Sequence, residues 1–308
     1  MTAPIDPREP LSAEVRRIAA DETSTAVAAL ETARTDPSEG FHECRKAIKR
    51  LRALWRMARA GDEPYCRAQD ASLRRAAKLL AGPREATALI ETADRLAQVA
   101  GDDTEANAVA ALRAMLEARR STLMGSCLHV GPAVAEATAL LSKLDFTSMR
   151  MPDVPATAAD VLEIGVRKGM RRALKALKAA GETGEAEAFH DLRKAVKALS
   201  LQARLLKPLM PDAGKRERKA MEAFGERLGE LNDLHVMDAL LAAEGVDLVG
   251  AEATALLRER IATETQKLKR RCLKAGAKHL EHKPAPVARE LAARFERRAS
   301  KARNRQAA

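Results

Sequence analysis

His42, Arg45, Lys49, Arg52, Arg56 and Arg59 follow one another at steps of three and four. On an α-helix that spacing stacks all six along one face. Such a face can hold an anion of many charges. Guanidinium forks grip pairs of phosphoryl or carboxylate oxygens, ammonium groups act as mobile point charges, and a protonated imidazole adds a third kind of cation. Lys46 and Arg50 widen the stripe, and a thinner copy recurs at His190, Arg193, Lys194, Lys197 and Arg204. Other chemistry finds no footing. There is no Gly-rich phosphate loop, nucleophile elbow or paired-carboxylate site, so no catalytic residue is assigned and no enzyme activity is expected. His279 and His282 stand near Cys272, but Pro284 ends the helix there and no third ligand has suitable spacing, so no metal and no cofactor are expected.

The element that must carry each stripe is an amphipathic helix. One residue ahead of the first basic row runs an apolar row, Phe41, Cys44, Ile48, Leu51, Trp55 and Ala58; Phe189, Leu192, Val196, Leu199, Ala203 and Leu206 repeat it. Each helix therefore has a core face bordering a positive one. Ala, Leu, Glu, Lys and Arg dominate throughout and apolar residues recur at helical intervals, which predicts an all-α chain. Asp36-Pro37-Ser38 caps the first stripe's helix, and Gly61-Asp62-Glu63-Pro64 ends it. Gly101-Asp102-Asp103 opens a further helix. Later helices are predicted over 157–180, 185–207, 213–243 and 250–275, giving four helices per half.

His190 lies 148 residues after His42, and the same offset maps Leu80-Ala81-Gly82-Pro83-Arg84-Glu85 onto Leu228-Gly229-Glu230-Leu231-Asn232-Asp233. Each of these segments is expected inside the third long helix of its half, with Pro83 kinking the first. The pattern reads as an internal duplication: a first helical half over 11–145, a linker over 146–156, a second half over 157–283, and a basic C-terminal helix or tail over 284–308. The expected fold is two four-helix bundles about a pseudo-twofold axis, with the basic stripes facing a shared central channel. Lys168, Arg171, Lys175 and Lys178, also at steps of three and four, are expected to contribute to its lining. The C-terminal run from Arg294 to Arg305 is expected to be a frayed amphipathic helix, a basic tail that helps gather polyanion, or a solvated end.

Across 308 residues, Lys and Arg number 54 against 43 Asp and Glu, a net charge of +11, and the pI is near 9.7. A polyanion is the first partner to consider. Aromatic residues make up 2% of the chain, so unpaired bases would have almost nothing to stack on. No secretory signal is visible at the N-terminus and no apolar run approaches the roughly 20 residues that cross a bilayer, which predicts a soluble cytoplasmic protein without membrane contact. Cys44, Cys66, Cys127 and Cys272 form no CxxC pair and read as reduced thiols, Cys44 as core packing.

Four pieces in register, His42-x-x-Arg45-Lys46-x-x-Lys49-Arg50-x-Arg52, Leu80-x-Gly82-x-Arg84-Glu85, His190-x-x-Arg193-Lys194-x-x-Lys197 and Leu228-Gly229-x-x-Asn232-Asp233, resemble the CHAD (conserved histidine α-helical domain) family. The resemblance covers nearly the whole chain. It implies paired four-helix bundles around a basic channel that binds inorganic polyphosphate, without catalysis, and association with polyphosphate granules and their components. No triphosphate-tunnel domain of alternating strands is read ahead of the motifs, so a fused polyphosphatase is not expected. The expected binding residues are His42, Arg45, Lys46, Lys49, Arg50, Arg52, Arg56, Lys78, Arg84, Lys168, Arg171, Lys175, His190, Arg193, Lys194, Lys197 and Arg204. The second copy has Ala198 and Ser200 where the first has Arg50 and Arg52, so the first half is expected to dominate binding. Protonation of His42 and His190 beside a polyanion predicts binding that strengthens as pH falls. The equal alternative holds each histidine inside the bundle, hydrogen-bonded to Asp233 or Glu85. A nucleic-acid backbone is the alternative partner, and an accessory role in hydrolysis of polyphosphate or a phosphate ester a weaker one.

Overall fold

The computed structural model describes residues 4–80, 82–125, 130–210 and 214–307, with backbone alone at 82–85, 123–125, 130, 214–215 and 306–307. Among the described residues the chain is all-helical, with eleven α-helices and no strand. In chain order they are α1 (Leu11–Thr32), α2 (Pro37–Ala58), α3 (Glu63–Leu79), α4 (Gly82–Ala97), α5 (Asp103–Gly125), α6 (Val130–Ser142), α7 (Pro155–Thr183), α8 (Ala186–Leu205), α9 (Gly214–Val249), α10 (Ala251–His279) and α11 (Pro284–Ala307). A 3-10 turn, Lys207–Leu209, follows α8.

The helix starts are set by local chemistry. Asp36 accepts the Glu39 amide at 3.1 Å, with Pro37 opening α2, and Asp62 accepts the Tyr65 amide at 3.3 Å to start α3. Asp102 accepts the Glu105 amide at 2.9 Å, while Glu105 accepts the Gly101 amide at 2.5 Å and so covers donors that α5 leaves unpaired.

The expectation of a third helix running through residues 80–85 is corrected. α3 ends at Leu79 and α4 begins at Gly82, whereas Leu228–Asp233 lies within the 36-residue α9. Pro83 lacks an amide hydrogen and its ring crowds the preceding turn, so it sits in the first turn of a new helix, where neither property costs anything. With that break, six helices precede residue 146 among the described residues in place of four, whereas the second half has the expected four, α7 to α10, with α11 following them.

Three hydrophobic clusters hold the helices. The largest joins α1, α2, α3, α6, α7 and α11 around Trp55, Leu54, Met57 and Phe295. The second joins α4 and α5 to α9 and α10, and the third packs α7 and α8 on α9 and α10 around Phe189 and Phe224. Packing thus crosses between the two sequence halves. Arg260 of α10 reinforces the crossing by gripping the buried carboxylate of Glu105 from α5, its Nη2 donating at 2.7 Å. That pairing holds the Glu105 carboxyl below its ordinary range.

α2 and α7 approach closely because α7 offers glycines at the crossing. A Cβ on Gly165 would lie 2.1 Å from the Met57 carbonyl oxygen, and one on Gly169 would lie 2.6 Å from Gln202 Oε1 of α8. This glycine face decides which α7 side chains look toward α2 and α8.

The C-terminal run takes the helical one of its expected forms, and α11 packs on the core through Ala288, Ala292 and Phe295. Its arginines tie the chain together, Arg294 donating to the Leu209 carbonyl at 3.1 Å and Arg298 to that of Pro208 at 2.6 Å. The segment between α6 and α7 is also pinned. Arg16 donates to the carbonyls of Phe146 and Met149 at 3.1 and 3.0 Å, and the Phe146 ring stacks on Trp55 at 6.0 Å.

Candidate anion-binding site

The apolar row of α2 is fully buried, with Phe41, Cys44, Ile48, Leu51, Trp55 and Ala58 at most 2% exposed. Turning that row inward brings the adjacent basic row to the rim of the core. α8 does the same with Phe189, Leu192 and Val196, and Gln202 of α8 donates to the Ala53 carbonyl of α2 at 3.5 Å. The two stripes consequently line one cleft.

The cleft consists of two adjoining cavities. The first, about 870 Å³, is lined by His42, Arg45, Lys46, Lys49 and Arg50 from α2, by His190, Arg193, Lys197 and Arg204 from α8, and by Glu222, Glu226, Asn232 and Asp233 from α9. The second, about 720 Å³, is lined by Lys49, Arg52 and Arg56 from α2, by Arg59 immediately after it, by Arg67, Asp70 and Arg74 from α3, by Arg172 from α7, and by Arg193, Lys194 and Lys197 from α8. Lys49, Arg193, Lys197 and Leu201 belong to both and form the wall between them. Fourteen different Lys and Arg line the pair, seven on the first and ten on the second with three common to both, against the four carboxylates of Glu222, Glu226, Asp233 and Asp70.

Twelve of the seventeen residues expected from sequence line this cleft. Lys78, Lys168, Arg171 and Lys175 lie elsewhere, and the side chain of Arg84 lies outside the described residues. Lys168 and Arg171 belong to the most regular basic stripe of α7, yet the cation that α7 contributes is Arg172. It stands three and seven residues beyond Gly169 and Gly165, on the face those glycines press against α2 and α8. The glycine pair was the available signal. Arg67 and Arg74 were also missed; with Asp70 they share one face of α3 at steps of three and four.

Several of these side chains have intramolecular partners that define their roles. Arg45 donates to the carbonyls of Ala77 and Leu80 at 2.9 and 3.3 Å, satisfying acceptors that the end of α3 leaves open. Arg50 pairs with the buried Glu22 at 2.7 Å and Arg52 with the buried Asp70 at 2.7 Å. Lys46 pairs with Glu43, Lys194 with Asp191 and Arg204 with Glu222, at 2.5, 3.0 and 2.9 Å. These lysines hold the carboxyls of Glu43 and Asp191 below their ordinary range.

His190 Nδ1 lies 2.6 Å from Asn232 Oδ1, and Asn232 Nδ2 donates to Asp233 at 3.5 Å. With the amide oriented by Asp233, Nδ1 must be the donor. The expected internal partner is thus Asn232 in place of Asp233, which pairs with Arg95 at 3.4 Å. The Glu85 side chain lies outside the described residues.

Electrostatics within the cleft are strained in one direction. Burial first, then repulsion from Arg52, pushes the Arg56 guanidinium down to about 10. Desolvation and Arg193 likewise lower the Lys197 ammonium. In both, burial is the larger cause and the neighbouring cation the smaller.

Other reactive groups lie apart from this cleft. Burial raises Cys44 and Cys66 to about 12 and Cys272 to about 11, so these thiols are packing groups. Cys127 lies outside the described residues. His279 packs 6.3 Å from the Phe224 ring. Among the described residues no three His, Cys, Asp or Glu converge on a metal position, and no helix is long and apolar enough to cross a membrane.

Comparison with known proteins follows the same lines. A crystal structure of the CHAD domain from the plant Ricinus communis superposes with a TM-score of 0.59, covering 91% of this chain and 95% of that one at 19% identity. That likeness concerns the fold. No curated protein matches in sequence. The family model of the CHAD domain matches residues 17–242, from α1 through most of α9. With nearly three quarters of its length under that model, the chain belongs to the CHAD family.

Proposed function

We propose that this protein binds inorganic polyphosphate in the cleft between α2 and α8 and performs no chemistry on it. The observation that carries this reading is the fourteen Lys and Arg lining the adjoining cavities against four carboxylates. Polyphosphate is a flexible chain with about one negative charge per internal phosphate, so it needs a row of donors more than a shaped pocket. Charge-assisted bonds of on the order of 1.5–3 kcal/mol each, where partly desolvated, would sum to firm binding. The CHAD family is associated with polyphosphate binding in general. The repeated stripes, one on α2 and one on α8, would form two walls of a single channel derived from a duplicated unit. The protein would then ride on cytoplasmic polyphosphate granules.

Nucleic acid is the rival partner. Trp55, Phe189, Phe224 and Phe295 are buried in the core, so the cleft offers no aromatic platform for bases. A titration separates the two. Long-chain polyphosphate should bind the wild type and lose at least tenfold in affinity on Lys49→Ala/Arg193→Ala/Lys197→Ala substitution at the shared wall. Duplex DNA at equal phosphate concentration should fail to displace it. Equal affinity for the variant, or ready displacement by DNA, would sink the proposal.

A further inference from the structure

A further cavity, separate from the cleft, lies where the two ends of the described chain meet. It measures about 730 Å³ and is enclosed by the segment before α1, by α1 itself, by the turn after α8 and by the last turns of α11. Its floor is apolar, made of Pro4, Ile5, Pro7, Pro208 and Ala302. Prolines lack an amide hydrogen and hold their φ, so the floor is stiff and poor in donors. The polar groups around it are already engaged. The Pro4 carbonyl accepts from Arg17 at 3.1 Å and the Pro208 carbonyl from Arg298 at 2.6 Å. The Ile5 amide donates to the Leu205 carbonyl at 2.9 Å and the Asp6 amide to Glu14 at 2.7 Å. Asp6 pairs with Arg8 at 2.6 Å, Glu14 pairs with Arg17 at 2.7 Å, and Glu9 is drawn to Arg8.

Two cations remain. Lys301 and Arg305, one helical turn apart on α11, line the cavity and have no ion pair or hydrogen-bond acceptor among the described residues. The end of a helix favours cations whatever they face, so their charge alone points to no ligand. Here, however, the charge borders a pre-formed apolar hollow, and that pairing suits a ligand with one anionic group on an apolar body. A phosphate chain has no apolar surface to lay on such a floor. A peptide would bring amides and carbonyls for which the floor has no free partner. We infer that this groove between the N-terminal segment and α11 binds an aliphatic monocarboxylate, its carboxylate held by Lys301 and Arg305 and its hydrocarbon covering the proline floor. An aliphatic chain fits better than a ring, because no aromatic side chain lines the cavity. Binding here is independent of polyphosphate binding in the cleft.

Calorimetric titration of the whole chain with decanoate, butanoate and decyltrimethylammonium tests both halves of the site. Decanoate should bind at a single site, tightening over butanoate by up to about fourfold for each extra methylene that the floor covers. The cationic amphiphile of equal chain length should not bind. Lys301→Glu/Arg305→Glu should weaken decanoate at least about tenfold. Lys301→Gln should weaken it less, and serves if the double variant folds poorly. Ala302→Phe fills the floor and leaves every charge in place, and it should weaken decanoate as well. Saturating polyphosphate should leave decanoate binding unchanged. The inference is overturned if the wild type does not bind decanoate, if it binds butanoate or decyltrimethylammonium equally well, or if Lys301→Gln and Ala302→Phe both keep full affinity. Displacement of decanoate by polyphosphate would move the ligand into the cleft, overturning the groove site and leaving the proposed function intact.

Discussion

Salt should reveal whether the cleft works as a row of charges. The fourteen Lys and Arg exceed the four lining carboxylates by ten. A bound chain that neutralises roughly six to ten phosphates should give a slope of log affinity against log salt of about −4 to −7, taking about 0.7 per phosphate as for a flexible single strand. Raising salt fourfold should then weaken binding by about 200-fold to about 10⁴-fold. Lys197 is the informative position, since it lines both cavities and its ammonium is already lowered by desolvation and by Arg193. Lys197→Ala should weaken binding and make the slope shallower by about 0.7, the share of one contact. Lys178→Ala is the control, because Lys178 is exposed, lines neither cavity and pairs with Glu182 at 3.6 Å. The assay is a titration of long-chain polyphosphate at four salt concentrations. A wild-type slope shallower than about −2, or identical slopes for Lys197→Ala and Lys178→Ala, would refute the reasoning.

Other positions give further checks. Arg45→Ala removes two donors from carbonyls at the end of α3 and should destabilise the fold by about 1–2 kcal/mol in urea denaturation, with Arg45→Lys recovering only part. Gly165→Ala places a methyl against the Met57 carbonyl and should cost about 1–3 kcal/mol, read in the same experiment. Cys44, Cys66 and Cys272, raised to between about 11 and about 12 by burial, should resist thiol reagents at pH 8 until denaturant is added, as measured by labelling and mass analysis.

How far the sequence could be read depended on whether a signal was local. The stripes of α2 and α8 were legible because their apolar and basic rows obey one helical spacing, and the buried row then dictates where its neighbour emerges. The thinned second wall was legible too: Ser200 and Ala198 line the two cavities where the copied stripe loses charge. α7 was misread because its regular row of Lys168, Arg171 and Lys175 says nothing of which side packs. A 100° step separates Arg171 from Arg172, and only the close approach at Gly165 and Gly169 decides between them. Arg45 shows a different limit. Its residue type and spacing mark a phosphate ligand, while its two backbone contacts come from a helix end 32 and 35 residues away. The packing of α4 and α5 on α9 and α10 was likewise hidden, since an apolar face does not name its partner.

The turn after α8 carries one more implication. The Ile5 amide donates to the Leu205 carbonyl at 2.9 Å, and Arg294 and Arg298 hold the carbonyls of Leu209 and Pro208. One wall of the cleft is thus moored by segments nearly 300 residues apart along the chain. Contacts of such separation form late, after loop-closure entropy has been overcome. On the ribosome, α2 and α8 can become helical early, but α8 gains its anchorage only once α11 has emerged. Until then the nascent cleft has one settled side and one loose side, and the proposed capture of a polyanion would wait for α11 to dock.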